Sequence, residues 1–449
     1  MADALDTIFK AYDVRGIYPD EIDESIAKKI GNAFARFTAA STVVVGHDMR
    51  PSSIPLSQAF IEGATLAGAD VVNVGLASTD LVYFASGLLD APAAMFTASH
   101  NPAQYNGIKM CRASAAPVGE ATGLVQIKEA VAAGLVERAE EAGQVETRNL
   151  LAEFAEHVHS FVDTSVLRPL RVVADTANGM GGLIAPAVFE GLPFKVDILF
   201  AELDGTFPNH PADPIQPENL VALQKAVLDA GADVGLAFDG DADRVFLVDD
   251  QAVPISGSIT TAIVAKSILE KTGPGESVVY NLICSKAVPE VILEMGGTPI
   301  RSRVGHSFIK QVMAETGAVF GGEHSGHYYF RDNWRADSGI IAALMVLEQL
   351  SRNAMPLSEF RKPFERFAQS GEVNTTVSDP LAVVEVVAEA YRDNEQDRLD
   401  GLTVDLGDWW FNLRPSNTEP LLRLNVEAAD RIACDAHTTE VLERIASEA

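Results

Sequence analysis

Short apolar runs alternate with amphipathic stretches along most of the chain. A run of four to eight apolar residues bounded by turn residues is typical of a buried strand, and apolar residues three and four apart indicate a helix. On this basis strands are predicted at 42–45, 69–74, 91–96, 170–174, 196–200, 234–238, 245–248, 277–283, 299–304 and 318–320. Helices are predicted at 53–66, 125–141, 220–229, 286–295 and 308–315, and the charged stretch 125–141 reads as a surface helix.

The same order of elements repeats along the first three quarters of the chain: strand, helix, strand, helix, strand and a polar loop. Such alternation predicts parallel sheets joined by helical crossovers. The segment after residue 367 predicts instead a smaller α+β domain with an antiparallel sheet. Its strands are expected at 372–377, 402–406, 409–413 and 421–426, and its helices at 382–391 and 434–445.

The length of 449 residues exceeds what one hydrophobic core serves, so several domains are expected. The repeats place three similar α/β domains with mixed, mostly parallel sheets at 1–145, 146–249 and 250–366. The C-terminal α+β domain then occupies 367–449. Each of the four carries one polar loop with chemically useful side chains.

Composition narrows the choice of partners. Acidic residues outnumber basic ones by 63 to 34, giving a formal net charge of -29, which argues against nucleic acid and anionic membranes as partners. Three widely spaced cysteines, Cys111, Cys284 and Cys434, form neither a disulfide framework nor a zinc pattern. Because no leader segment or membrane-spanning apolar run is visible either, we expect a cytoplasmic protein.

The loop 97–102, with the sequence Thr-Ala-Ser-His-Asn-Pro, follows the apolar run 91–96. Asn101 favours a turn and Pro102 stops regular structure, so the hydroxyl of Ser99 is held on a tight loop at the end of a strand. The end of a strand is where α/β proteins place their ligands. A polar turn with a helix cap is the plain alternative. A turn at 106–109 would carry Lys109 back towards the same loop.

The second loop holds three carboxylates at alternate positions, Asp239, Asp241 and Asp243, followed by Arg244. An EF-hand is excluded, because its obligatory glycine would fall on Arg244 and the rest of its loop on a strand. An aspartyl-nucleophile phosphatase fits the opening of this loop but not the carboxylate at position 243. Carboxylates packed this closely repel one another unless a cation compensates. We expect Mg²⁺, held by the three carboxylates and one oxygen on Ser99.

Two further loops complete the set. Glu323 and Ser325 lie in a loop flanked by glycines on both sides, as close approach of backbone to a ligand requires, and both side chains are suited to vicinal sugar hydroxyls. Arg414, Ser416, Asn417 and Thr418 gather one guanidinium and several neutral donors in one turn, which suits a phosphate dianion. A hydroxyl, a metal loop, a sugar loop and a phosphate loop together indicate phosphoryl transfer.

These four loops, in this order, resemble the α-D-phosphohexomutase superfamily over essentially the whole chain. The motif 322–327, Gly-Glu-His-Ser-Gly-His, is similar to that of its phosphomannomutase and dual phosphomannomutase/phosphoglucomutase branch. The resemblance implies four domains around a central cleft, Mg²⁺ as cofactor and hexose 1,6-bisphosphate as activator. The expected reaction interconverts mannose 6-phosphate and mannose 1-phosphate. Dual specificity towards glucose phosphates, phosphoglucosamine mutase activity, sugar phosphatase activity and mere sugar-phosphate binding are the alternatives.

The same resemblance implies roles for individual residues. Ser99 would be a phosphoserine that donates its phosphate to a hexose phosphate and is rephosphorylated after the bisphosphate turns around. Arg15, Lys109, Arg244 and His306 would line the transfer site, with Lys109 and His306 as candidates for proton transfer. Tyr12, Glu323, Ser325 and His327 would contact the sugar, and Arg414, Ser416, Asn417 and Thr418 its distal phosphate.

The family pattern is not matched everywhere. Positions 46–50, Gly-His-Asp-Met-Arg, depart from a commoner Gly-Arg-Asp-x-Arg, and 210–213 departs from His-His-Pro-Asp, so no role is assigned to His47 or His210. We further expect a monomer or weak homodimer, in which the fourth domain, joined near 366–371, closes over the substrate.

Overall fold

The computed structural model describes residues 2–134, 136–415 and 421–448, and within it the side chains of 5–134, 136–415 and 421–446. The first domain contains α1 (Ala2–Ile8), β1 (Val14–Ile17), α2 (Glu24–Thr38), β2 (Thr42–His47), α3 (Ser53–Leu66), β3 (Asp70–Leu76), α4 (Thr79–Leu89), β4 (Ala93–Phe96), β5 (Tyr105–Arg112), β6 (Ala116–Pro117), α5 (Leu124–Ala132) and β7 (Val145–Thr147). Its sheet has the strand order β1-β5-β4-β2-β3-β7, in which β4, β2, β3 and β7 run parallel and β5 runs antiparallel to both β1 and β4.

Two predictions in this domain are wrong. The expected turn at 106–109 is part of strand β5, which pairs with β4 and carries Lys109 along the sheet. The expected helix 125–141 ends at Ala132, because Gly134 adopts a left-handed backbone conformation that terminates it. This helix also buries Leu124 and Val131 instead of lying wholly in solvent.

The second domain repeats the parallel arrangement on a smaller scale. It contains α6 (Leu151–His159), β8 (Arg171–Asp175), α7 (Gly181–Phe189), β9 (Lys195–Leu199), α8 (Val221–Ala230), β10 (Val234–Phe238), β11 (Val245–Asp249) and β12 (Pro254–Ile255). Strands β9, β8 and β10 are parallel, and β11 returns antiparallel to β10 with β12 at its far side. The metal loop predicted from the sequence is therefore the connection between β10 and β11.

The third domain has the same core of three parallel strands. It contains α9 (Gly257–Thr272), β13 (Ser277–Asn281), α10 (Ala287–Glu294), β14 (Thr298–Ser302), α11 (His306–Thr316), β15 (Phe320–Gly322), β16 (Tyr328–Phe330), α12 (Gly339–Asn353) and α13 (Leu357–Phe360). Strands β14, β13 and β15 are parallel, and β16 is antiparallel to β15. The predicted sugar loop is the hairpin connection between β15 and β16.

The fourth domain is antiparallel, as predicted. It contains β17 (Ala368–Gln369), β18 (Val373–Thr376), α14 (Pro380–Ala390), β19 (Glu395–Asp397), β20 (Leu402–Asp405), β21 (Trp409–Pro415), β22 (Leu421–Ala428) and α15 (Arg431–Glu448). Strand β22 pairs with β21, β17 and β18, and the sheet continues through β20 to β19. Short 3-10 helices at Glu120–Thr122, Thr164–Val166, Pro217–Leu220, Arg331–Asn333 and Lys362–Phe364 complete the described helices.

The hydrophobic cores separate the fourth domain from the others. One continuous cluster of buried side chains joins the first three domains, with Phe84, Leu236 and Leu344 among its members. Helix α12 is buried nearly all round and lies in this shared core. The fourth domain has a cluster of its own, around Phe411 and Leu424. Among the described helices, none combines the length and the apolar character that a bilayer crossing demands.

Candidate active site

Ser99 lies directly after strand β4 on a loop whose backbone is strained. Its φ is +49°, a left-handed value that residues other than glycine adopt rarely, and its N–H donates to Thr97 Oγ1 at 2.9 Å. The side chain is buried, with 5 % of the residue exposed. Its Oγ donates to Asp239 Oδ2 at 2.7 Å and accepts from Arg244 Nη2 at 3.1 Å. The predicted nucleophile loop and the predicted metal loop therefore meet, although they belong to different domains.

The three carboxylates of the loop between β10 and β11 converge. Asp239, Asp241 and Asp243 are all buried, and one carboxylate oxygen from each lies within 4.8 Å of the others. Lys109 Nζ lies 2.7 Å from both Asp241 Oδ2 and Asp243 Oδ2, and Arg244 Nε donates to Asp239 Oδ2 at 2.9 Å. Two side-chain cations thus reduce the repulsion that the sequence led us to ascribe to a metal alone.

These charges shift one another's pKa values in opposite directions. Burial raises the pKa of Asp239 well above its usual range, against the pull of Arg244 and with the help of Asp241 and Asp243. Burial also opposes ionisation of Asp241, but Lys109 and hydrogen bonds from Lys109 and Thr79 outweigh it and lower the pKa of that carboxyl. Burial alone would lower the pKa of Lys109, yet the two carboxylates raise it well above its usual range. The carboxylates therefore hold Lys109 as a permanent cation.

The loop fits a divalent cation. Asp241 Oδ1 and Asp243 Oδ1 are buried and have no hydrogen-bond partner among the described residues. Buried carboxylate oxygens are costly when unpaired, and hard cations take oxygen ligands of this kind. A cation placed between them would use lone pairs that Lys109 and Arg244 leave free.

In the sugar loop, hydrogen bonds hold both carboxylate oxygens of Glu323 in place. Its Oε1 accepts from Tyr329 Oη at 2.5 Å, and its Oε2 accepts from Asn281 Nδ2 and from the N–H of Gly305, each at 3.1 Å. Only 1 % of this residue is exposed. Ser325, by contrast, is half-buried and its Oγ lies 3.1 Å from His327 Nδ1.

His327 lies between the sugar loop and the metal loop. Its Nδ1 faces Ser325, while its Nε2 lies 3.8 Å from Asp243 Oδ1. A short antiparallel bridge between Arg244 and His327 holds the two loops side by side. The three loops predicted from separate stretches of the sequence therefore form one continuous surface.

Tyr12 and His306 lie beside the sugar loop, because Gly305, the residue before His306, donates its N–H to Glu323. Their rings meet edge to face with centroids 5.2 Å apart, and His306 is the first residue of α11. Burial lowers the pKa of His306 well below its usual value, and the nearby ammoniums of Lys310 and Lys109 lower it further. His306 is therefore neutral at pH 7. Burial raises the pKa of Tyr12. In the fourth domain, Asp400 raises this pKa further and Arg414 lowers it.

Arg15 and Arg414 are already paired. Arg15 lies on β1 and donates to Asn101 Oδ1 at 2.6 Å and to Asp13 Oδ2 at 2.5 Å, so it contacts the nucleophile loop. Arg414, at the end of β21, donates to Glu372 Oε2 at 2.8 Å. The other predicted phosphate-loop residues, Ser416, Asn417 and Thr418, lie outside the described residues.

Several supporting residues were not predicted. Thr79 donates its hydroxyl to Asp241 Oδ2 at 2.6 Å, and Tyr329 and Asn281 fix Glu323. Below them, Lys310 Nζ lies 2.7 Å from Asp337 Oδ1, at an angle unlike that of a hydrogen bond, and 4.0 Å from the centre of the Tyr83 ring. The sequence offered no signal for these residues. Thr79 and Asn281 act on side chains from distant stretches of the chain, and Tyr329 reaches Glu323 across the hairpin of β15 and β16.

Comparison with known proteins agrees with this geometry. Four models of the phosphoglucomutase/phosphomannomutase family match the chain: alpha/beta/alpha domain I at residues 6–136, domain II at 152–252, domain III at 256–367 and the C-terminal domain at 372–447. The chain is 41 % identical to the phosphohexose mutases of Xanthomonas campestris over 438 residues, 96 % of this chain and 98 % of that protein. It is 37 % identical to the phosphomannomutase of Salmonella montevideo over 453 residues, 98 % and 99 % of the two chains.

Solved structures show the same architecture. A phosphoglucomutase/phosphomannomutase family protein from Burkholderia thailandensis superposes with a TM-score of 0.90 at 31 % identity, covering 98 % of this chain and 97 % of that one. The open form of a Paramecium phosphoglucomutase, parafusin, superposes with a TM-score of 0.79 at 18 % identity, covering 97 % and 94 %. At that identity the second likeness concerns the fold alone.

Proposed function

The chain belongs to the phosphoglucomutase/phosphomannomutase family and is a phosphohexomutase, an intramolecular phosphotransferase; we propose that it interconverts mannose 6-phosphate and mannose 1-phosphate. The observation that carries the proposal is the contact of Ser99 Oγ with both Asp239 and Arg244, beside the sugar loop of a third domain. One hydroxyl, one cluster of charged side chains and one sugar site then serve both ends of the same hexose.

In the proposed reaction Ser99 carries a phosphoryl group. A hydroxyl of the bound hexose phosphate attacks the phosphorus, the bond between phosphorus and Ser99 Oγ breaks, and hexose 1,6-bisphosphate is formed. The intermediate reorients, Ser99 Oγ attacks its other phosphate, and the isomerised monophosphate leaves. Arg244 and Lys109 neutralise the charge that develops on the transferring oxygens, because both remain cations throughout.

The proton of the attacking sugar hydroxyl needs an acceptor. Lys109 was one candidate, but an ammonium with a raised pKa is suited to charge neutralisation and not to accepting a proton. We assign the acceptor role to His327, whose two ring nitrogens face Ser325 and Asp243. His306, neutral but packed against Tyr12, is the second choice.

We propose that Asp239, Asp241 and Asp243 hold Mg²⁺ together with an oxygen carried by Ser99. When bound, the ion supplies Lewis-acid stabilisation of the phosphoryl oxygens. The unpartnered oxygens of Asp241 and Asp243 support this set of ligands. Hexose 1,6-bisphosphate is proposed as the activator, because it regenerates the phosphoserine if the intermediate escapes.

Glu323 and Ser325 would hold the sugar's 3- and 4-hydroxyls in either orientation, with Tyr12 beside them. Arg414 would hold the distal phosphate with Ser416, Asn417 and Thr418, and Arg15 would order the nucleophile loop. A fixed clamp and a fixed nucleophile explain why the bisphosphate, and not the protein, has to turn around.

Mannose is proposed as the substrate because relatives similar over nearly the full chain carry the name phosphomannomutase. Dual activity on glucose phosphates and phosphoglucosamine mutase activity remain the alternatives, as does a weak homodimer instead of a monomer. A cytoplasmic location is part of the proposal, because the buried thiols of Cys111, Cys284 and Cys434 fit a reducing compartment.

The test compares turnover of mannose 1-phosphate, glucose 1-phosphate and glucosamine 1-phosphate with Mg²⁺ and glucose 1,6-bisphosphate present. We expect the highest kcat/KM with mannose 1-phosphate, and a loss of at least about 1,000-fold in Ser99→Ala because the nucleophile is removed. Ser25→Ala, on an exposed helix face, is the control and keeps full activity. Release of inorganic phosphate in place of isomerised sugar phosphate would favour a phosphatase, and near-normal turnover in Ser99→Ala would overturn the nucleophile assignment.

A further inference from the structure

Arg50 is a fully buried arginine that the proposed reaction does not use. It lies between the end of β2 and the start of α3, and only 1 % of the residue is exposed. A guanidinium cannot lose its charge at any ordinary pH, so burying one requires a dense set of acceptors. The structure supplies most of that set from one loop and the remainder from Asp48.

The guanidinium of Arg50 binds the backbone of the nucleophile loop. Nη2 donates to the carbonyl oxygens of Ser99 at 2.9 Å and Asn101 at 2.7 Å. Nη1 donates to the carbonyl oxygens of Pro102 at 2.8 Å and Tyr105 at 3.0 Å. Four carbonyl oxygens of the segment 99–105 therefore converge on one side chain.

Asp48 fixes Arg50 by accepting hydrogen bonds from its side chain and its backbone. Its Oδ2 accepts from Arg50 Nε at 3.1 Å, while its Oδ1 accepts from the N–H of Arg50 at 2.9 Å and from Ser53 Oγ at 2.6 Å. Five guanidinium hydrogen bonds, four to carbonyl oxygens and one to the Asp48 carboxylate, leave Arg50 a single orientation. A lysine at this position would have three donors on one nitrogen and could not span the same four carbonyls.

The second domain covers the other face of Arg50. The ring of Phe207 lies over the guanidinium with 5.0 Å between Cζ and the ring centre. Gly205 packs so closely that a Cβ added to it would lie 2.5 Å from Arg50 Cα. The arginine therefore ties the nucleophile loop of the first domain to the domain that carries Asp239.

This arrangement matters because the Ser99 loop is strained and the Ser99 hydroxyl has to keep short contacts with Asp239 and Arg244. The left-handed backbone at Ser99 persists only if its surroundings hold it, and converging carbonyl oxygens repel one another without a cation among them. Without Arg50 the loop would relax, and Ser99 Oγ would leave the short contacts to Asp239 and Arg244. A misplacement of about 1 Å in a reacting group costs about 100-fold in rate.

We propose that Arg50 is a positioning residue for the phosphoryl-carrying serine: its guanidinium fixes the carbonyl face of the segment 99–105 so that Ser99 Oγ stays aligned with Asp239 and Arg244. The inference rests on the proposed function. Arg50 acts through the backbone and touches neither the sugar nor the metal loop's carboxylates, so it affects the transfer step and not substrate affinity.

The experiment measures Arg50→Lys and Arg50→Met in the full-length protein. In Arg50→Lys we expect kcat for mannose 1-phosphate to fall about 100-fold with KM within about threefold of wild type, because the sugar contacts on Glu323 and Arg414 are intact. We also expect more inorganic phosphate released per isomerised sugar, because a misaligned phosphoserine transfers to water more often relative to sugar. Arg50→Met should be as impaired or worse.

Arg168→Lys is the matched control. Arg168 also donates to a backbone carbonyl, that of Leu350 at 2.9 Å, but this carbonyl lies in helix α12 and not in the nucleophile loop. Thermal unfolding of all three variants separates lost stability from lost alignment, and Arg50→Lys carries the test if Arg50→Met does not fold. Intact-mass measurement of the fraction of Ser99 phosphorylated by glucose 1,6-bisphosphate gives a readout independent of the sugar substrate.

The inference is overturned if Arg50→Lys keeps kcat within threefold of wild type, if KM rises while kcat is unchanged, or if Arg168→Lys loses kcat and leaks phosphate equally. Failure of the proposed function is a different result. In that case the wild-type protein would neither isomerise any of the sugar phosphates nor become phosphorylated on Ser99.

Discussion

At the level of single residues, the candidate active site depends on a few contacts among Ser99, Asp239 and Arg244. Asp239 accepts hydrogen bonds from both Ser99 Oγ and Arg244 Nε on the same oxygen. Burial raises the pKa of Asp239 against the pull of Arg244, and the neighbouring carboxylates of Asp241 and Asp243 raise it further, so its ionised form is costly. A divalent cation favours the ionised form, so metal binding and ionisation of this loop are linked.

Asp239→Asn tests that linkage. The amide keeps the size of the carboxylate but removes its charge, so we expect the Mg²⁺ concentration for half-maximal activity to rise at least about 10- to 100-fold and kcat to fall with it. Chelation should abolish wild-type activity and added Mg²⁺ should restore it. An unchanged Mg²⁺ requirement in Asp239→Asn would remove this residue from the ligand set.

Asp80 makes stability depend on pH. It is fully buried, burial raises its pKa to about 7, and the hydroxyls of Ser78 and Ser338 bind its two oxygens. The native state keeps this proton up to about pH 7, whereas the unfolded chain releases it near pH 4. Native protein therefore binds more protons in that window, and stability falls as pH rises through it, by about 4 kcal/mol in all.

We expect Asp80→Asn to lose most of this pH dependence. Denaturant unfolding of wild type and variant between pH 5 and pH 8 measures this dependence. The free energy of unfolding of the variant should increase relative to that of wild type as pH rises. Parallel curves would show that Asp80 titrates normally in the folded protein.

Among the secondary-structure elements, helices α2 and α3 pack unusually closely. Two glycines let their backbones touch: a Cβ on Gly31 would lie 2.1 Å from the carbonyl oxygen of Phe60, and one on Gly63 would lie 1.9 Å from that of Lys28. Neither obstacle is a side chain that could swing away. These two glycines therefore set the distance between the helices that cover one face of the first sheet.

Gly31→Ala should destabilise the protein by about 1–3 kcal/mol or more, because the overpacking outweighs the roughly 1 kcal/mol that alanine contributes to helix propensity. Ser25→Ala on the exposed face of α2 is the control and should be neutral or slightly stabilising. Both are measured as free energies of unfolding in denaturant. Equal stability of Gly31→Ala and wild type would mean that the helices separate without loss.

At the scale of the whole molecule, the first three domains share one apolar core and the fourth has its own. The third and fourth domains meet through polar contacts instead: Lys286 Nζ lies 2.9 Å from Asp405 and Arg301 Nη1 lies 2.6 Å from Asp397. All four of these side chains are roughly one-third exposed. Such contacts are weak and rearrange easily, unlike a shared core.

We therefore expect the fourth domain to close over the sugar phosphate, which would keep water from the phosphoserine. Small-angle scattering should show a smaller radius of gyration at saturating mannose 1-phosphate. Arg414→Met should abolish that change and raise KM about 10- to 100-fold, because a charge-assisted hydrogen bond to phosphate is lost. Identical curves for wild type with and without substrate would contradict closure.

Local sequence patterns were enough to predict most of the elements and the chemistry of the loops. Strand and helix patterns depend on neighbours a few positions away, so 234–238 and 245–248 were predicted as strands and the polar loop between them as a metal loop. The same local reasoning failed at 106–109, where turn residues lie in β5 because pairing with β4 outweighs their local preference. Domain boundaries stay predictions.

Which loops meet became known only from the folded chain. Ser99 and Asp239 are 140 positions apart, yet their side chains share a hydrogen bond, and Arg50 reaches a loop about 50 positions away. Hydrogen bonds and charges act over a few ångströms in space, whatever the separation along the chain, so local patterns cannot reveal such pairs. The partner of a supporting side chain such as Thr79 cannot be identified from its neighbours in sequence, and it becomes visible only when the chain has folded.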